Sequence, residues 1–211
     1  MNKLIRIAAL TLGLLGGIFL SQSNTVNAQE AAEIDTSGIV EMTMGPADAK
    51  VTVIEYASFT CPHCANFHKD QFQKLKADYI DTGKIHFIYR DVYFDQLGVW
   101  AAMTARCDGP ERFFDIADML YTRQADWIGD GDFLQVEMNL AFIGHTHGLS
   151  LEQFSACIED DDKARALIEW FRNNAETDGI NSTPSLVING QKYENMHYDD
   201  LKDLIEKELA D

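Results

Sequence analysis

Ser58-Phe59-Thr60-Cys61-Pro62-His63-Cys64, entered from Val51-Thr52-Val53-Ile54, is the stretch whose reading decides the fold. The β-branched run Val51–Ile54 predicts a buried strand. After the cysteines, His68, Phe72, Leu75 and Tyr79 recur at i, i+4, i+7 and i+11, one face of an amphipathic helix. The strand therefore ends, the chain turns, and Cys61 falls at a helix N-terminus. Unpaired N–H groups and the helix dipole favour a negative charge there. A thiolate so placed is stabilised, and a disulfide that contains it becomes easier to reduce. Pro62 suits the first helical turn, where a missing N–H costs nothing. The His63 imidazole is expected to add a donor or a positive charge beside the thiolate. Two cysteines separated by two residues can close a small disulfide ring, and together these features describe an oxidant.

Working outward, Thr82-Gly83 stops the helix and Ile85-His86-Phe87-Ile88-Tyr89 predicts a second buried strand. Strand, long helix and strand make a βαβ unit with a right-handed parallel crossover. From Asp91 to Asp178 the pattern is helical, and five helices are expected. Trp100, Met103 and Cys107 share one face, and Phe113, Phe114, Ala117, Leu120 and Tyr121 another. Asp132 can cap a helix carrying Phe133, Val136, Leu140 and Ile143, and Ser150 with Gln153 forms a capping box. A longer helix turns Ala164, Leu167, Ile168, Phe171 and Ala175 inward and ends at Gly179. Ser185–Ile188 then predicts a strand, Asn189-Gly190 a two-residue hairpin turn, and Gln191–Tyr193 the returning strand. A final helix from about Tyr198 faces Leu201, Leu204, Ile205 and Leu209 inward.

Toward the N-terminus, Lys3 and Arg6 precede an uncharged, largely apolar run from Ile7 to Leu20, and Val26-Asn27-Ala28 offers small residues for cleavage. Residues 1–28 therefore read as a cleavable signal peptide, too short in its apolar run for the roughly 20 residues of a spanning helix. Residues 29–49 read as a loose arm with at most a short edge strand near Ile39-Val40, and residues 50–211 as one domain with a helical insertion over about 95–178. Of 17 basic and 34 acidic residues, the signal holds only Lys3 and Arg6, so the remainder carries a net charge of −19. Such a surface repels nucleic acid and anionic lipid, which argues against both as partners. Four cysteines in an exported chain suggest two disulfides.

Cys61-Pro62-His63-Cys64 after a buried strand, a helical insertion, Thr183-Pro184 before a hairpin, and Glu55 six residues before the first cysteine together resemble the DsbA family of thiol–disulfide oxidoreductases. The resemblance runs through nearly all of residues 29–211 and is closer to alphaproteobacterial DsbA-like proteins than to the enterobacterial form. It implies an α/β chain of thioredoxin fold with an inserted all-helical subdomain. It also implies a periplasmic location and a redox-active Cys61–Cys64 disulfide in place of any cofactor. Cys61 would be the exposed, attacked cysteine and Cys64 its buried partner. Pro184 would be cis, leaving the Thr183 backbone to pair with an extended substrate segment. Glu55 would lie under Cys64 as a buried carboxyl with a raised pKa. The partners implied are reduced, unfolded exported proteins and a DsbB-type membrane quinone reductase, with a monomer as the default.

Other readings stand beside these. Cys61 and Cys64 could be a structural or metal pair, with His63 and His68 near, but a zinc site usually wants two more close ligands. Cys107 and Cys157, both among apolar residues, suit a structural bridge between insertion helices; two free thiols are the alternative. A bridge closing about 50 residues would stabilise by roughly 4 kcal/mol in the chain-entropy model. His145-Thr146-His147 reads as polar surface before chelate, and a hydrogen bond to the helix behind it is an alternative role for Glu55. A disulfide isomerase or reductase would use the same site. A non-enzymatic metal- or client-binding module is the reading from a different class.

Overall fold

The computed structural model describes residues 34–210. The expected signal peptide, residues 1–28, and the first residues of the expected arm, 29–33, lie outside the described residues. A five-stranded sheet runs in the order β1-β3-β2-β4-β5. Its centre is β2 (Val51–Ala57), parallel to β3 (Ile85–Asp91) on one side and antiparallel to β4 (Ser185–Ile188) on the other. The outer strands β1 (Met42–Met44) and β5 (Gln191–Glu194) pair antiparallel with β3 and β4. With α1 (Pro62–Phe67) crossing from β2 toward β3 and a helical block between β3 and β4, this is a thioredoxin fold with an inserted helical subdomain.

Most of the elements follow from local sequence. Val51 and Val53 are fully buried, as a central strand requires. The helix that starts at α1 continues without a break through a π-helical stretch His68–Phe72, a turn α2 (Gln73–Leu75) and a second π stretch Lys76–Ile80. Its expected inner face, His68, Phe72, Leu75 and Tyr79, is buried. Asn189 and Gly190 both have positive φ, 47° and 84°, the signature of a type I′ hairpin turn between β4 and β5. At the far end of β1, Gly45 has φ 78° and passes so close to the Ile85 carbonyl oxygen that a Cβ would collide with it.

The insertion comprises α3 (Gln96–Ala105), α4 (Phe113–Thr122), α5 (Gln124–Ile128), α6 (Phe133–Thr146), α7 (Leu151–Ile158) and α8 (Asp161–Thr177). Asp132 accepts from the Gln135 N–H, and Ser150 and Gln153 cap α7 reciprocally. The closing helix is α9 (Tyr198–Ala210), with Leu201 and Ile205 buried.

Four expectations need correction. The insertion has six helices, because α5 is only five residues long and too short to leave a periodic signal. The edge strand lies at Met42–Met44 and not near Ile39-Val40, since Met42 carries the buried side chain of that segment. Phe133, expected on the inner face of α6, is 55% exposed and touches Trp100 edge-on at 5.7 Å. Cys107 lies past the end of α3.

Insertion and sheet share one core. Phe59, just ahead of the cysteines, packs on Tyr89 of β3 and on Tyr121 and Phe113 of α4, with ring centroids 5.0–6.4 Å apart. Where β3 ends, Asp91 forms a buried ion pair with Arg106, whose Nε donates to Oδ2 at 2.7 Å. The guanidinium is flanked by Phe113 and Trp170. Next to it, Cys107 and Cys157 are disulfide-bonded with Cα atoms 5.6 Å apart.

Candidate active site

The edge between β2 and α1 brings the two remaining cysteines together. Cys61 is the N-cap of α1, with extended backbone at φ −85° and ψ 118°, and Pro62 occupies the first helical turn. The Cys61 carbonyl accepts from the N–H groups of Cys64 and Ala65 at 3.1 and 3.2 Å, so the helix begins directly at this residue. Cys61, expected to be exposed, is largely buried and keeps only 9% exposure, while Cys64, one turn deeper, is fully buried. Both are free thiols.

Their environments drive the two thiols apart. The Cys61 pKa falls to about 5, chiefly because the Cys64 thiol donates a hydrogen bond to its sulfur. Burial opposes the shift, and the Thr183 side chain and the backbone N–H groups of Cys64 and His63 add to it. Burial pushes the Cys64 thiol far up, reinforced by its bond to Cys61. One cysteine is therefore a thiolate at neutral pH and the other a thiol. His63 contributes through its backbone N–H; its side chain is exposed and makes no hydrogen bond among the described residues.

Opposite the pair, the Thr183-Pro184 bond is cis, and the Cys61 Sγ lies 3.7 Å from the Thr183 carbonyl oxygen. The hairpin of β4 and β5 holds this segment, and Pro184 is buried while Thr183 is half-exposed. Beneath, Glu55 sits in the middle of β2 at 2% exposure, between Tyr89 and Leu186 in register. Burial raises its pKa to about 8. Its Oε1 makes no hydrogen bond among the described residues.

Several neighbours escaped the sequence reading. Tyr89 and Tyr121 join hydroxyls at 2.6 Å behind Phe59. Thr60 donates to Asp95 Oδ2 at 3.0 Å, and Asp95 also caps α3. Gln124 donates to the carbonyls of Phe59 and Cys61. None of these pairings has a sequence signature, because the partners lie 32 to 65 residues apart. His68 is engaged elsewhere: it stacks between Phe72 and Tyr121 and its Nε2 meets Asp118 Oδ1 at 2.9 Å. The rings of His145 and His147 bond backbone carbonyls of Leu149 and Ile143. Among the described residues no group of three or more His, Cys, Asp or Glu is arranged to hold a metal ion, and no helix is long and apolar enough to cross a membrane.

Comparison with known proteins places this geometry. The sequence profile of the family described as Thioredoxin matches residues 37–207. A protein of Rickettsia typhi, provisionally named protein-disulfide oxidoreductase, is 31% identical over 81% of this chain and 63% of its own length. The chain thus spans less than two thirds of that relative. Disulfide bond formation protein D of Bacillus subtilis is 28% identical over 79% of this chain and 76% of its own. The crystal structure of Wolbachia pipientis alpha-DsbA1 superposes with a TM-score of 0.73 at 27% identity, covering 81% of this chain and 91% of that one. The oxidised BdbD structure from Bacillus subtilis gives 0.72 at 25% identity, covering 81% and 94%. With its sheet order, its cysteine pair at a helix N-terminus and its inserted helices, the chain belongs to the thioredoxin family, among the DsbA-like proteins.

Proposed function

We propose that the protein is a periplasmic disulfide oxidase that donates its Cys61–Cys64 bond to reduced exported proteins. The observation that carries this reading is the split between the two thiols, one a thiolate at the rim and one a buried thiol. In the oxidised protein a client thiolate attacks Cys61 Sγ and the Cys61–Cys64 bond breaks. Cys64 leaves with the electron pair and takes up a proton, for which the neutral Glu55 carboxyl, buried in β2 and electrostatically coupled to Cys64, is the assigned donor. A second client thiolate then attacks the client sulfur of the mixed disulfide, and Cys61 leaves as a thiolate. The client has lost two electrons and formed a disulfide; Cys61 and Cys64 have gained them. A low-pKa thiol is the better leaving group, so the stabilised Cys61 thiolate drives the exchange in this direction.

Client recognition is assigned to the Thr183 backbone, where an extended segment adds by main-chain bonds and side-chain sequence matters little. Return to the oxidised state needs an electron acceptor, and the resemblance to the family points to a DsbB-type membrane quinone reductase. A chain carrying a signal peptide over residues 1–28 would reach the periplasm, where clients and acceptor meet. The competing roles separate in one assay. Stoichiometric oxidised protein is expected to form disulfides in a fully reduced client and to leave a fully oxidised, scrambled client largely uncorrected. Efficient correction of the scrambled client by the reduced protein, with poor oxidation of the reduced one, would assign it to isomerisation.

A further inference from the structure

We propose that Gln124 is a positioning residue for the redox centre, its carboxamide holding the Cys61 loop from the helical insertion and favouring the Cys61 thiolate. The inference deepens the oxidase reading and rests on Cys61 being the attacked cysteine. Gln124 is the first residue of α5, a helix pinned by Trp127, which is 1% exposed and donates its indole N–H to the Leu120 carbonyl at 2.8 Å. From that fixed base Gln124 Nε2 donates to the Phe59 carbonyl at 2.8 Å and to the Cys61 carbonyl at 3.1 Å. The Cys61 oxygen thereby receives three N–H donors, since Cys64 and Ala65 already bond it. Across the same loop the Thr60 hydroxyl is tied to Asp95. The three residues before α1 are thus clamped from two helices of the insertion.

Two effects of this clamp have the same sign. The Phe59 and Cys61 carbonyl oxygens carry the negative ends of peptide dipoles in the loop that bears the sulfur. A donor on each offsets that negative potential, which otherwise opposes a thiolate. The clamp also keeps Cys61 in the extended N-cap conformation that directs the His63 and Cys64 N–H groups at the sulfur. Without the carboxamide, both supports weaken, the thiolate rises in energy, and the disulfide becomes harder to reduce.

Gln124→Met keeps the length and volume of the side chain but has no donor; Gln124→Lys restores an N–H donor. In Gln124→Met the Cys61 thiolate absorbance is expected to titrate at higher pH, and the equilibrium constant with glutathione to fall about three- to tenfold. Gln124→Lys should titrate at or below the wild-type pH. A Gln124→Met protein that loses thermal stability while both redox readings stay at wild-type values would overturn the proposal and leave Gln124 a packing residue. The wild-type values themselves test the oxidase reading: a wild-type thiol of ordinary pKa defeats that reading whatever the variants do.

Discussion

Cys61→Ser is expected to lower client oxidation by roughly a thousandfold or more, the scale of removing a reacting group that no neighbour can replace. The companion substitution gives the opposite signature. Cys64→Ser leaves the accessible Cys61 thiolate without a partner to displace the client, so mixed disulfides with oxidised clients should accumulate and be released by reductant. The asymmetry follows from burial, since Cys64 is sealed and Cys61 keeps its 9% exposure. Non-reducing gels of both variants with a disulfide-bearing client check it. Equal trapping by Cys61→Ser would move the attacked sulfur to Cys64, and unchanged client capture by Cys61→Ser without covalent intermediates would favour a binding module.

The second large effect concerns Glu55. Its folded carboxyl titrates near 8 against an ordinary value of 4.5, because burial penalises the charged form. Between those values the folded protein holds a proton that the unfolded chain releases, so stability falls as pH rises from about 4.5 to 8. The full loss across that window is on the order of 5 kcal/mol, since each pH unit between the two values contributes about 1.36 kcal/mol. Glu55→Gln keeps the shape and cannot ionise. Relative to wild type it should gain nearly that amount between pH 4.5 and pH 8 in urea denaturation of the oxidised protein, where Cys61 does not titrate. Parallel stability curves for the two proteins across the window would show that Glu55 is ionised throughout and is not the buried acid of the mechanism. The same variant should slow the release of Cys64 during client attack if the carboxyl supplies its proton.

Much of this was legible in the chain. Val51–Ile54 followed by a 3.6-residue periodicity reported a strand and helix on its own, and cysteines at the junction reported their electrostatic setting. Asn189-Gly190 announced its turn because only residues tolerant of positive φ fit there. Two local rules failed for physical reasons. The α5 helix holds its place by the buried Trp127 and its indole hydrogen bond, a tertiary anchor that a five-residue window does not reveal. The edge strand shifted because pairing with β3, Met42 opposite Tyr89, decides the register of so short a segment. In the site, the cysteines, Glu55, Thr183 and Pro184 could be named from motif and family resemblance. His63 is subtler: its type suggested an imidazole contact, whereas the contact made is by its backbone N–H, which any residue but proline provides. Gln124, Asp95 and the Tyr89–Tyr121 pair stayed hidden because long-range packing alone brings them to the loop.

The split between two thiols is the centre of the account, and the reduction potential of the Cys61–Cys64 pair with the Cys61 thiolate titration measures it most directly. A thiolate appearing near pH 5, together with a potential well above the roughly −230 to −200 mV of glutaredoxins, is the predicted result. A thiol titrating near its ordinary value with a potential close to thioredoxin's, about −270 mV, would contradict it and make the protein a reductant.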